Sequence, residues 1–183
     1  MRILSNWVRS AVAAILLSPL LVGTTLEQLS LDDMIQKSTS VVRARVGGSY
    51  TAMVGRDIYT YYRLQVSETW KGQSATDLEV AVPGGALRGQ RQSIAGAPAL
   101  VAGDEYVLFL WTSRSGLTQV IGLSQGSFTV KTDASNTPLM LRPAVAESML
   151  DQNGHVVANH PWSLRLADVR ARVLAFSTTG VLK

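Results

Sequence analysis

Ser124 is flanked by glycines in Gly122-Leu123-Ser124-Gln125-Gly126. This is the G-x-S-x-G spacing that places a serine nucleophile on a sharp turn. His155 or His160 would supply the base, and Asp151 or Asp168 the carboxylate that orients it. That chemistry needs a strand-to-helix elbow at the serine. Here Ser127-Phe128-Thr129-Val130 continues with strand patterning, so the glycines read as a hairpin turn or bulge. A secreted hydrolase is therefore the alternative function, and no residue is assigned a catalytic role. A zinc site needs three or four ligands, and the chain has two histidines, no cysteine and no H-E-x-x-H. Neither a metal nor a cofactor is expected.

Binding chemistry is better supplied. Tyr59, Tyr61 and Arg63 alternate along one strand face, a combination able to stack on sugars or on the bases of single-stranded nucleic acid. Arg56 lies in the turn Val54-Gly55-Arg56-Asp57, and Arg88 and Arg91 follow the break at Pro83-Gly84-Gly85. Such loops present guanidinium groups to an anionic ligand. Neither G-x-x-x-x-G-K-[ST] nor G-x-G-x-x-G occurs, so these glycines do not form a recognisable phosphate cradle. The expected binding residues are thus Tyr59, Tyr61, Arg63, Arg56, Arg88 and Arg91.

The chain that must position them has 183 residues, 46% hydrophobic and 16% charged. Soluble domains average about 25% charged residues, so it is charge-poor yet apolar enough to fold. Without cysteine a disulfide scaffold, a thiolate nucleophile and a lipidated N-terminal cysteine are all excluded. Arg2 and Arg9 precede an apolar run from Ala11 to Gly23, the order of a secretory signal peptide over residues 1–23. The run is too short for a bilayer span of about 20 residues, so the expected protein is exported, periplasmic or extracellular, with no transmembrane segment once the leader is removed. Of the 17 basic side chains two belong to the leader, leaving 15 against 13 acids. That formal +2 is scattered, which speaks against a nucleic-acid module.

Residues 24–39 should hold a short helix, with Ser30 as cap, Asp32 and Asp33 in the first turn, and an end near Lys37. Residues 40–131 carry the strand signals. Val41 to Val46 alternates before the bulge-forming Gly47-Gly48, and Ile58 to Trp70 is the longest run, its core face being Ile58, Thr60, Tyr62, Leu64, Val66, Glu68 and Trp70. Leu78 to Val82, Glu105 to Trp111, Leu117 to Leu123 and Ser127 to Lys131 add further strands, with a hairpin or long loop between Ala86 and Pro98. Trp70, Trp111 and Phe128 are assigned to the core. Residues 132–183 read as a loop followed by a helix capped by Ser163, with Leu166, Val169, Val173 and Phe176 on its apolar face.

The order V-V-R-A-R-V, I-Y-T-Y-Y-R-L-Q-V with W-K-G, D-L-E-V-A-V-P-G-G, G-D-E-Y-V-L-F-L and V-I-G-L-S-Q-G-S-F-T-V, from Ser40 to Lys131, resembles a group of uncharacterised exported bacterial proteins. It is also similar to the netrin-like module, the OB-type barrel of tissue inhibitors of metalloproteinases. The resemblance implies a mostly β, five- to six-stranded barrel with a short N-terminal and a C-terminal helix. Those inhibitors place an N-terminal cysteine on the target's zinc, and this chain has none to place. The implied function is an exported, non-catalytic binding or interaction module for a protein or glycan partner, in its sharpest version protease-associated or protease-inhibitor-like. Oligosaccharide or single-stranded nucleic-acid binding is a further alternative.

Overall fold

The computed structural model describes residues 25–145 and 147–179. The leader expected over residues 1–23 lies outside the described residues. Thr25–Glu27 (β1) leads into the helix Leu31–Lys37 (α1). Ser30 caps it in a reciprocal box: Ser30 Oγ accepts from Asp33 N at 3.1 Å, and Asp33 Oδ2 accepts from Ser30 N at 3.0 Å. At the other end Lys71 Nζ donates to the carbonyl oxygens of Ile35 at 2.5 Å and Ser38 at 2.7 Å. A cation thus sits on the negative end of the helix dipole.

Two strands of 15 residues follow, Ser40–Val54 (β2) and Asp57–Lys71 (β3). They pair antiparallel along their length with three register shifts. One inserts Gly47, where the glycine pair predicts a bulge. Another inserts Ser67 in β3 and reverses the alternation there. Leu64 and Val66 therefore pack in one core layer and Trp70 in the other. The single apolar face expected from Ile58 to Trp70 is divided between two cores for this reason.

The chain continues through Asp77–Pro83 (β4), a small hairpin of Gly85–Leu87 (β5) and Gln90–Gln92 (β6), Glu105–Thr112 (β7) and Thr118–Val120 (β8). A 3-10 turn at Leu123–Gly126 precedes Ser127–Thr132 (β9) and Pro138–Arg142 (β10). Ser148–Leu150 (β11), Val156–Val157 (β12), Trp162–Arg165 (β13) and the helix Leu166–Thr179 (α2) complete it. The protein is mostly β, built on a large antiparallel sheet in the order β13-β10-β9-β7-β2-β3-β4, with β8 pairing the end of β7. Strands β1, β11 and β12 form a second, small sheet.

No closed barrel forms among the described residues. β4 lies against β8 without a hydrogen-bonded ladder between them. β8 is three residues long and β4 ends on Pro83, which has no N–H to donate. One face of the curled sheet gathers Val42, Ala44, Val46, Leu64, Val80, Val82, Leu108, Leu110 and Val120. The opposite face packs Val41, Trp70, Phe109, Phe128 and Met140 beneath Met34 and Ile35 of α1 and Leu166, Val169 and Val173 of α2. Strand β7 is buried on both sides, in keeping with its nearly unbroken apolar sequence.

Several expectations are corrected. Trp111 is 45% exposed, because pairing of β7 with β2 ends at Ser40↔Leu110 and the short β8 is its only ladder partner. Phe176 is 42% exposed, since the helix continues beyond Val173, the last of its residues in the core. Ser163 is no helix cap: it pairs with Leu141 in β13, and α2 starts at Leu166. Residues 132–183 contribute β10 and β13 to the main sheet as well as loop and helix.

Candidate functional site

The six expected binding residues fall into two groups. At one end of the sheet, β2 and β3 turn through Gly55, at φ +64, and Arg56. The β5–β6 hairpin docks there. Thr51 Oγ1 donates to Ala86 O at 2.9 Å, and Thr60 Oγ1 donates to Gly84 O at 2.8 Å. Gln92 uses both ends of its amide: Oε1 accepts from Ile58 N at 2.6 Å and Nε2 donates to Asp57 Oδ1 at 3.1 Å. The approach is possible because residue 85 is glycine. A Cβ there would lie 2.7 Å from Thr60 Oγ1, at a φ of +143.

Docking brings the turn Val54–Asp57 and the loop bearing Arg88 and Arg91 to the same end. Arg56 and Arg91 are the chain neighbours of the bonded pair Asp57 and Gln92. Arg56, Arg88 and Arg91 are exposed, and none of their side chains has a hydrogen bond or ion pair among the described residues. Met53 and Val54, 48% and 45% exposed, are the last two residues of β2, next to that turn.

The second group lies on the outer face of β3. Tyr61 stacks on Tyr50 of β2, with ring centroids 5.1 Å apart and planes inclined by 10°. These two residues are directly opposed in the ladder. The Arg63 guanidinium covers the Tyr50 ring at 5.2 Å and pairs with Glu79 at 3.6 Å. Tyr50 Oη also donates to Glu79 Oε2 at 3.2 Å. Partial desolvation and then the Glu79 carboxylate push the Tyr50 phenol above its ordinary value. Tyr59 is half-buried and pairs with Ala52 and Pro83. A groove of about 500 Å³ adjoins this face, between Gly47-Gly48 and Asp77–Glu79. The ring faces here are largely used within the protein, and Arg63 already has its anion.

The serine and histidines of the hydrolase reading are not joined. Gly122 adopts the left-handed conformation and Ser124 sits in a 3-10 turn that runs into β9, so no strand-to-helix elbow forms. Ser124 Oγ is buried without a hydrogen-bond partner among the described residues. His155 Nδ1 lies 3.2 Å from Asp151 Oδ2 on an exposed turn, where Asp151 Oδ1 also accepts from the backbone of Asn153 and His155. Those bonds hold the Asp151 carboxyl below the usual range, the backbone bond to His155 contributing most. Asp168 accepts from Arg165 at 2.8 Å. Among the described residues no group of three or more His, Asp or Glu side chains is placed to hold a metal ion.

Sequence reasoning missed one polar arrangement, which is structural in kind. Arg142 is 3% exposed and Gln125 1%. Gln125 Oε1 accepts from Leu29 N and its Nε2 donates to Glu27 O, both at 2.8 Å, tying the N-terminal segment to the 3-10 turn. Arg142 Nη1 donates to Gln125 O at 2.7 Å, and its guanidinium lies 4.5 Å from the Trp162 ring centroid and 5.3 Å from that of Phe128. The signal was an arginine two residues from Met140, on the core-facing side of an apolar strand. Compared with known protein families, curated proteins and solved structures, the chain matches none.

Proposed function

We propose that the protein is a non-catalytic binding module that works outside the cytoplasm and meets an acidic partner with the end of the sheet bearing Arg56, Arg88 and Arg91. One observation carries this reading. Three exposed arginines without a carboxylate partner share an end made of two docked hairpins. Loops held by a rigid sheet are the usual place for recognition groups. The leader pattern supplies the compartment.

The likeness to an OB-type, netrin-like barrel is part of the proposal. It is supported by the single apolar layer shared by β2, β3, β4, β7 and β8. A protease-inhibitor role would have to operate without the zinc-binding cysteine. The test uses immobilised wild type and the variant Arg56→Gln/Arg88→Asn/Arg91→Gln, each exposed to the extracellular and envelope fractions. Asparagine is chosen at 88 because Arg88 has φ +50, which asparagine tolerates. Retention of the same protein, glycan or lipid by wild type alone, reduced by salt, is expected. Equal retention by both overturns the reading.

A further inference from the structure

We infer that this end seats on a bilayer surface rich in anionic phospholipid, with the three guanidinium groups among the headgroup phosphates and Met53 and Val54 entering the headgroup boundary. The inference rests on the reading of this end as a contact surface and assigns it a lipid partner.

The charge pattern comes first. Arg43, Arg63, Arg165, Arg170 and Arg172 each have a carboxylate within the protein. Arg56, Arg88 and Arg91 have none, and the nearest acid in sequence, Asp57, is engaged by Gln92. The one other exposed arginine without a described partner, Arg114, lies in the β7–β8 turn. That turn follows Thr112, which is bonded to Thr39 beside the start of β2, so it occupies the opposite end of the sheet. Arg45, exposed in the body of β2 and also without a carboxylate, gives its Nη1 to Gly103 O at 2.6 Å. Among the described residues, the only cluster of exposed arginines with no side-chain partner of any kind stands at the end bearing Arg56, Arg88 and Arg91.

Shape and polarity select the lipid over a soluble polyanion. The arginines stand on two hairpins, apart from the groove of about 500 Å³ between Gly47-Gly48 and Asp77–Glu79. Protruding turns fit a flat surface better than a threaded chain. A glycan would be expected to use aromatic faces, yet Tyr50 and Tyr61 cover one another and Arg63 is neutralised by Glu79. Methionine and valine at the end of β2, 48% and 45% exposed, gain little from a hydrophilic polymer. At a bilayer they bury apolar area while the long arginine side chains reach the phosphates.

The test is flotation of the full chain with vesicles of phosphatidylcholine alone and of phosphatidylcholine with phosphatidylglycerol. Phosphatidylglycerol should strengthen wild-type binding. The variant Arg56→Gln/Arg88→Asn/Arg91→Gln should lose about a hundredfold of that gain, at roughly fivefold per cation near an anionic surface. Arg114→Gln should keep most of it. Met53→Ser/Val54→Ser should bind the anionic vesicles severalfold more weakly. All substituted side chains are exposed, so unchanged circular dichroism is expected, and any contribution of residues 1–24 is common to every variant. A gain unchanged in the triple variant overturns the inference. So does loss of dextran sulfate binding with vesicle binding intact, which would leave the contact-surface reading standing with a soluble polyanion as partner.

Discussion

Glu68 accepts a hydrogen bond from Arg170 Nε at 2.7 Å, and this contact fastens α2 to β3 across 102 residues of sequence. The same carboxylate accepts from Trp70 Nε1 and Arg43 Nη1, both at 3.1 Å, and Arg43 in turn holds Glu105 of β7. A single acid therefore links three strands and a helix. It occupies the helix-covered side only because the Ser67 insertion reverses the alternation of β3.

Burial raises the Glu68 carboxyl, but the bonds from Arg170, Trp70 and Arg43 outweigh it and hold the group below its ordinary value of 4.5. The stabilisation is then fully present above that ordinary value and is lost as pH falls through the lower folded-state value. Glu68→Gln should cost about 1–2 kcal/mol near neutrality. Urea unfolding of both proteins from pH 7 to pH 2.5 should show the two curves converging in acid. A difference that stays constant through that range would remove the charge from the explanation.

Gly85→Ala should loosen the β5–β6 hairpin from the sheet. The new Cβ would meet Thr60 Oγ1 and Thr51 Cγ2 at 2.7 and 2.9 Å, and the residue is held at φ +143. Strain and displacement together should cost about 1–3 kcal/mol. Amide exchange at Ile58, whose N–H donates to Gln92 Oε1, should quicken more than at Val107 in the sheet centre. Equal exchange at the two sites would mean that the hairpin does not depend on this contact.

Much of the strand layout could be read from alternation because β2, β3, β4 and β7 each bury defined faces, and the paired glycines announced the bulge at Gly47. The Ser67 insertion carried no signal, since serine suits either strand face and no glycine marks it. β10 was hidden by Pro138 at its start and Arg142 at its end, residues that elsewhere indicate turns or surface. Trp111 ends the apolar run from Glu105 and so reads as core; its exposure depends on where β2 begins, at Ser40 opposite Leu110. The arginines of the candidate site were visible as residue types. Which of them lacked an acid was not, because Arg63–Glu79 and Arg170–Glu68 are made across strands and elements rather than within one.

Ser124→Ala should be neutral or stabilising by up to about 1 kcal/mol. The hydroxyl is buried without a partner, so its removal relieves a desolvated polar group and deletes no hydrogen bond. Any catalytic activity detected for the protein should survive this change, as well as His155→Ala and His160→Ala made separately. Loss of activity in the serine variant and in one histidine variant, with stability intact, would restore the hydrolase reading.

Arg142 offers a test of a buried cation that has no acid to balance it. Burial lowers its pKa to about 10, a direction that marks the cost of keeping the guanidinium charged away from water. The guanidinium stays charged in the folded and the unfolded chain, so the folded state bears the cost of the buried charge. Arg142→Met keeps volume between Phe128 and Trp162 and removes the charge, but it leaves Gln125 O without its donor. These opposing effects should place it within about 1 kcal/mol of wild type. Arg142→Ala also opens a cavity beside the two rings and should cost about 2–4 kcal/mol. Denaturant titrations at pH 7 give both comparisons. If the methionine variant were as unstable as the alanine variant at pH 7, the guanidinium hydrogen bond and ring stacking, rather than the filling of space, would be what holds β10 to β13.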